Sequence, residues 1–317
     1  MRCFLATGRA AVAICEIDQR RRREVAERYR LTGSFASLDD ALGQPFAAAV
    51  VATPAPSHVP LATRLAEAGI HPLIEKPLST SLDGVDRLLD TVRERGVTAA
   101  VAYVYRAHPA LAAMRRAIVE GRFGRPLQLV VVAGQHFPTY RPAYRETYFA
   151  DRTAGGGAIQ DALTHVLNAG EWLLGPITSM SFDAAHRALA GVEVEDTVQG
   201  IARHGKVLAT YVFNLHQAPF ELTLTVVCER GTARFEYHRQ LWSWMTEPGS
   251  EWTREATEPL ERDTLFITQA NAFLDALGGA SPLCPLDEGL ATLRANLAVL
   301  RSVEEHSWIT LAKEPEA

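Results

Sequence analysis

The apolar positions of this chain change rhythm near residue 125. Before that point, short unbroken apolar runs alternate with stretches of helical spacing. Residues 10–15 form a continuous apolar run that stops at Glu16, Ile17 and Asp18, the pattern of a strand buried on both faces. Residues 20–30 are charged, with Val25, Ala26 and Tyr29 at helical spacing, and Ser37 is placed to cap a shorter helix over 38–42. A second run, 47–52, is stopped by Thr53, Pro54, Ala55 and Pro56, and a helix follows from Ser57. Residues 72–74 make a third strand. Val85, Leu88, Leu89 and Val92 stand at i, i+3, i+4 and i+7 of the next helix, and 97–104 gives a further strand. Strands and helices alternating in this way predict right-handed crossovers and an α/β, doubly wound parallel sheet.

Beyond residue 125 the runs lengthen and show period two, at 127–133, 198–202, 207–213, 222–228 and 233–237. His204, Gly205 and Lys206, and again Arg230, Gly231 and Thr232, read as hairpin turns. This half predicts a large open, mostly antiparallel sheet. Its helices are expected around Asp161, over 263–277 and over 287–304, which makes it α+β. The expected domains are 1–104 and 105–317.

Length and composition fit this two-domain reading, since 317 residues at 47% hydrophobic can bury a sizeable core. Net charge is -5, and the one dense basic run, Arg20 to Arg23, opens a helical pattern and reads as a solvated face. Nucleic-acid binding would need a broader basic stripe with aromatic platforms, so no nucleic-acid partner is expected. No run reaches membrane-spanning length and no signal peptide is evident, so no membrane partner is expected either. Cys3, Cys15, Cys228 and Cys284 lie far apart with no ligand spacing, which suits a reducing cytoplasm and a cytoplasmic location.

Two clusters carry candidate chemistry. Glu75, Lys76 and Pro77 follow the third strand, at the carboxyl end where an open parallel sheet binds ligands. A lysine held there against a rigid proline needs a carboxylate partner or a catalytic task. Downstream, Gly155, Gly156 and Gly157 open a helical pattern containing Asp161 and His165 at i and i+4, a spacing that puts carboxylate and imidazole on one face. That pair can handle protons, the carboxylate fixing the imidazole tautomer; a helix-surface polar pair is the plainer reading. No further ligands stand nearby, so no metal is expected.

Together, Glu75-Lys76-Pro77, the preceding 52–58 stretch with Thr53, Pro54 and His58, and the Gly-rich Asp161-x-x-x-His165 resemble the Gfo/Idh/MocA oxidoreductases over nearly the whole chain. The resemblance implies a Rossmann domain followed by an open antiparallel sheet. It also implies hydride exchange between NAD(P) and a secondary hydroxyl of a sugar, cyclitol or related polyol. Lys76 resembles the lysine that binds cofactor and substrate hydroxyl, His165 the acid/base and Asp161 its helper. Glu16, at the end of the second Rossmann strand, matches the acid that holds the adenosine ribose, and a carboxylate there favours NAD over NADP. Thr53, Pro54, His58 and Glu75 match the cofactor side. Arg106, His108 and Pro109, with Tyr144, Arg145 and Tyr148, are expected to line the substrate cleft, as aromatic and guanidinium groups suit a polyol. Trp242, Trp244 and Trp252 are expected to serve packing or a subunit contact, in a homodimer or homotetramer formed through the sheet.

The family's first strand and its Gly-x-Gly-x-x-Gly loop are not found ahead of residue 10, and residues 2–9 read as the end of the first helix and its turn. A start placed too late is the favoured explanation, ahead of a truncation or a variant sheet. The alternative function is a non-catalytic relative that binds a sugar-like ligand or partner subunit without dinucleotide.

Overall fold

Parallel pairing prevails in the front of the chain and antiparallel pairing in the rear. The computed structural model describes residues 1–311. β1 (Ile14–Cys15) pairs in parallel with β2 (Ser34–Phe35). β3 (Ala48–Val51), β4 (His71–Ile74) and β5 (Ala100–Val101) form a second parallel sheet in that order. Helices α1 (Arg2–Ala6), α2 (Gln19–Arg28), α3 (Leu38–Leu42), α4 (His58–Glu67) and α5 (Val85–Arg95) alternate with these strands. The alternation is the one the sequence predicts, but among the described residues the two parallel sheets share no hydrogen-bonded strand pair.

Two expectations about single strands are corrected. The run at 10–15 is not buried on both faces: only Ile14 and Cys15 are paired, Ile14 is half-buried and Cys15 exposed. Among the described residues β1 is bonded on one edge only, and the Arg-rich α2 beside it buries no residue. The strand expected over 97–104 shrinks to β5. The Tyr103 N–H folds back on Val101 O at 2.9 Å, and residues Val104–Ala107 wind into a 3-10 turn.

The rear half is a nine-stranded sheet built from β6 (Pro126–Gly134), β7 (Ser179–Ala185), β8 (Thr197–His204), β9 (Val207–Asn214), β10 (Glu221–Cys228), β11 (Gly231–Glu236), β12 (Leu241–Met245), β13 (Thr253–Ala256) and β14 (Ile309–Thr310). Their order is β13-β12-β11-β10-β6-β9-β8-β7-β14, antiparallel except for the parallel β6–β9 pair. Leu129, Val131 and Ala133 of β6 and Leu222, Leu224 and Val226 of β10 point to the covered face, as period-two strands with one buried face must. Helices α6 (Pro109–Val119), α8 (Thr164–Leu174) and α10 (Leu286–Glu305) contribute Leu111, Leu167 and Val299 to the same core; a short α7 (Phe137–Tyr140) and α9 (Thr264–Ala276) complete the helices. Trp242 is buried and stacks on Trp244 with ring centroids 4.5 Å apart, a packing role.

The opposite face of the sheet is open, with Ile201 and Leu208 exposed on it. A broad depression there is lined by Ser181, Asp183, Gln199, Thr210 and His306, on the sheet face rather than at the strand ends that carry Lys76. α10 joins the two halves. Its Leu286, Leu290 and Leu293 enter the core around β4 and α4, and its Ala295, Ala298 and Val299 enter the core under the large sheet. Among the described residues no helix is long and apolar enough to cross a membrane.

Candidate active site

The chain's basic residues are almost all arginine: of the 32 only Lys76, Lys206 and Lys313 are lysines. Lys76 follows β4 and is joined to Pro77 by a cis peptide bond. Its side chain is 15% exposed, and Nζ donates to the Asp161 main-chain O at 2.6 Å and to Asp161 Oδ1 at 2.8 Å. A compact ammonium can serve two oxygens of one residue in this way, whereas a planar guanidinium presents a fixed fork.

Asp161 reaches that position because its helix does not begin as a regular one. Residues Ala158–Leu163 form a π turn that leads into α8; such turns widen the backbone and re-aim side chains. The glycines ahead of it are required by space. A Cβ on Gly156 would collide with the carbonyl oxygens of Phe149, Tyr148 and Asp151, and one on Gly157 would lie 2.5 Å from Glu195 Oε1. The Tyr148 hydroxyl donates to Asp161 Oδ1 at 2.6 Å. Burial by itself would raise the Asp161 carboxyl, but the Lys76 ammonium and the Tyr148 hydroxyl hold it below its usual value. The carboxylate is thus spent on Lys76 and Tyr148, and no hydrogen bond joins it to His165.

His165 is held instead by rings. Its centroid lies 4.9 Å from that of Tyr105 and 6.0 Å from that of Tyr103, the latter edge-on. Burial, then the neighbouring Lys76 ammonium, pushes the imidazole down to about 3, so it is neutral at neutral pH. Its Nδ1 is buried without a hydrogen-bond partner.

Several residues expected at the cleft are elsewhere. Arg106 is 3% exposed, its guanidinium bonded to Asn168 Oδ1 at 2.8 Å, to Leu283 O at 3.0 Å and to the Glu288 carboxylate, so it ties α8 to α10 and faces no open space. Tyr144 is buried with its hydroxyl donating to Ala190 O at 2.6 Å, and Arg145 donates to the same oxygen at 2.7 Å. His108 is buried as the cap of α6, Nδ1 accepting from the Ala110 N–H at 3.2 Å, and Pro109 is that helix's first residue. His58 is also buried: its ring nitrogens lie 2.7 Å from Thr53 O and 2.9 Å from Pro77 O, clamping the loops after β3 and β4 together. Tyr148 alone of the weaker candidates meets the site. Tyr103 and Tyr105 also reach the site, their one sequence signal being position just beyond β5, and Arg152 and Glu195 stand in no local pattern that marks them.

A dinucleotide can be tested against these strand ends. Glu16 ends β1 half-exposed, with Oε1 accepting from the Asp18 N–H at 2.9 Å. Thr53 and Pro54 are exposed beyond β3, and Glu75 and Lys76 stand beyond β4. A carboxylate, a hydroxyl and an ammonium at the carboxyl ends of β1, β3 and β4 fit ribose hydroxyls and a nicotinamide riboside. Among the described residues no group of His, Cys, Asp and Glu could hold a metal ion.

Acid should destabilise this protein before its carboxylates titrate. Burial holds His108 and His204 down to about 4 and His165 to about 3, so each is neutral in the folded chain where the unfolded chain has already bound a proton. Stability from these groups is present above the ordinary imidazole value and is lost as pH falls toward 4. Glu171 acts oppositely: burial raises it to about 7, so its contribution is lost as pH rises from the ordinary carboxyl value through neutrality. Three imidazoles against one carboxyl leave a net uptake of about two protons on unfolding near pH 5. Allowing for the open edge of His165, that is roughly 2 kcal/mol per pH unit. Urea midpoints measured at about pH 7, 6 and 5 should fall steadily; a flat series would show that these rings are charged in the folded state.

Residues 4–103 match the family described as oxidoreductase family, NAD-binding Rossmann fold, and residues 111–234 match the GFO/IDH/MocA C-terminal domain. The chain is 30% identical over 306 residues to 1,5-anhydro-D-fructose reductase of Ensifer adhaerens, covering 94% of this chain and 90% of that protein. It is 28% identical over 255 residues to levoglucosan dehydrogenase of Pseudarthrobacter phenanthrenivorans, covering 72% of this chain and 65% of the relative. A solved levoglucosan dehydrogenase in complex with NADH and levoglucosan superposes with a TM-score of 0.87 at 22% identity, over 98% of this chain and 95% of that one.

Proposed function

This chain belongs to the GFO/IDH/MocA oxidoreductases, and from that premise we propose that it moves a hydride between NAD and a secondary hydroxyl of a sugar, cyclitol or related polyol. The observation that supports this reading most is the meeting of Lys76, from the parallel half, with Asp161 and His165, from the rear half, at one site. Residues 1–104 would serve the dinucleotide and 105–317 the substrate.

Oxidising a secondary alcohol requires the hydroxyl proton to leave as hydride leaves carbon. When bound, the nicotinamide supplies the hydride acceptor. His165, neutral because burial and the Lys76 ammonium disfavour its charge, takes the hydroxyl proton. Lys76 donates to the same oxygen and holds the negative charge that grows on it, and Asp161 fixes the ammonium in place. Tyr148, through its bond to Asp161, helps hold that carboxylate in place. Glu16, Thr53, Pro54, Glu75 and Lys76 would hold the dinucleotide. The exposed apolar positions Ile201 and Leu208 on the open face of the sheet would be covered by a second copy of the chain.

Mixing the chain with NADH should enhance nicotinamide fluorescence, and a screen of sugars and inositols with NAD should find turnover. A folded sample that does neither would overturn the proposal. Cofactor choice is expected to follow Glu16, since a carboxylate accepts from a 2'-hydroxyl and repels a 2'-phosphate. Glu16→Ser should therefore shift the NADH to NADPH affinity ratio toward NADPH by about tenfold or more, the size of one unfavourable charge contact. An unchanged ratio would remove Glu16 from this role.

A further inference from the structure

We propose that Glu195 and Arg152 form a latch that shapes the Asp161 turn and, through it, positions the Lys76 ammonium; the catalytic meaning of this latch rests on the reading of Lys76 and Asp161 given above. Glu195 stands just before β8 with a side chain 3% exposed. A carboxylate that deep needs partners for its charge, and all of those found lie on the segment that leads to Asp161. Arg152 Nη2 donates to Oε2 at 2.5 Å, and the Ile159 N–H donates to Oε1 at 3.1 Å. The Ala158 N–H donates to the Glu195 main-chain O at 2.9 Å. One residue therefore takes two of the N–H groups that a helix start leaves free, at the end where the peptide dipoles favour negative charge.

The rest of the turn closes on the same pair. Gly157, at φ +86, lies so near Oε1 that no side chain fits. Gln160 Nε2 donates to Arg152 O at 2.8 Å, and Asn296 Nδ2 donates to Ile159 O at 2.8 Å. Residues 158, 159 and 160 are thus each fixed, and Asp161 comes next. The consequence is geometric. In an ordinary α turn the Asp161 carbonyl would point along the axis to the N–H of His165; the π turn lets it accept from Lys76 Nζ as well as lending its carboxylate. If the latch opens, the turn can relax to the regular form and Lys76 loses one or both oxygens. Glu195 and Arg152 touch neither Lys76 nor His165, so they are positioning residues.

With so few lysines, the amine can be read directly. The full chain is treated with limiting acetic anhydride and the modification of Lys76 is compared, by peptide mass spectrometry, with that of exposed Lys206 in the β8–β9 turn. Asp161→Asn sets the ratio for an amine released from its partner. Glu195→Gln keeps the acceptor for Ile159 but loses the charge, and Arg152→Ala loses the cation; each should raise the Lys76 to Lys206 ratio by about threefold to tenfold, the loss of one charge-assisted hydrogen bond. Arg152→Lys should return most of the way to wild type. Arg152→Lys keeps the cation on Glu195, and circular dichroism of Arg152→Ala checks its fold, so the test stands even if Glu195→Gln does not fold. Wild-type ratios in Arg152→Ala, with circular dichroism unchanged, would overturn the latch. In a sugar and NAD pair that turns over, the same variants should lower kcat with little change in KM. The labelling needs no substrate, so a chain that oxidises no sugar would count against the catalytic reading while the latch stands or falls on the amine.

Discussion

His165→Ala is expected to lower kcat by about 10²- to 10⁴-fold, the range for removing a positioned acid/base, with the fold retained. The stability cost is small for a reason visible in the site. Alanine loses ring contacts with Tyr105 and Tyr103, but it also removes Nδ1, a buried nitrogen with no partner, whose desolvation costs about 1–3 kcal/mol in the native protein. The variant should also resist acid better than wild type, because one of the three imidazoles that take up a proton on unfolding is gone. The pH profile supplies a separate check. An imidazole held down to about 3 gives no acid limb between about pH 5 and 8, where an ordinary histidine would titrate. Steady-state rates of the variant within a few-fold of wild type would take the proton-transfer role away from His165.

Lys76→Met should cost both turnover and stability, and the two losses can be separated. Turnover should fall by about 10²- to 10³-fold, as for loss of a single group that stabilises charge on the reacting oxygen. Stability should fall by roughly 2–4 kcal/mol, because Asp161 is left as a buried carboxylate whose cation has gone. Lys76→Met combined with Asp161→Asn removes both charges and should recover most of the stability, leaving Tyr148 a neutral acceptor, while turnover stays lost. Lys76→Arg should behave like the methionine variant in turnover, since a guanidinium cannot place one nitrogen on both Asp161 oxygens. Urea unfolding and single-turnover hydride transfer measured on the set would decide. A double variant that regains activity along with stability would mean that the ammonium only neutralises Asp161.

The strands β6 and β8 to β11 were legible in the sequence because each contains a period-two apolar stretch, and one buried face imposes that period. β7, β12, β13 and β14 were not: their partners, not their own patterns, make them strands, as when Ile309 and Thr310 pair with Met180 and Ser179 at the sheet's edge. The helices α9 and α10 followed from spacing. β1 was over-read, since an apolar run reports that a segment could be buried, and nothing local says whether cover exists. Lys76 stood out by its place after an apolar run and before a proline, and Asp161 with His165 by their spacing after three glycines. Arg106 and Tyr144 looked equally suited to a cleft. Whether such a group faces a substrate or a distant carboxylate and carbonyl depends on where Glu288 and Ala190 arrive in space.

The sequence by itself determined the two-part architecture and the residue types able to bind a hydroxyl and move its proton, because periodicity along the chain records which faces are apolar and glycine and proline record where the backbone must bend. Only the tertiary structure decided that Asp161 serves Lys76, 85 residues away, rather than the histidine four residues on. It also decided that a buried glutamate ahead of β8 accepts from the Ile159 N–H, two residues before Asp161. Hydrogen bonds and charge pairs across such distances depend on ångström placements set by packing, and no local pattern carries that information.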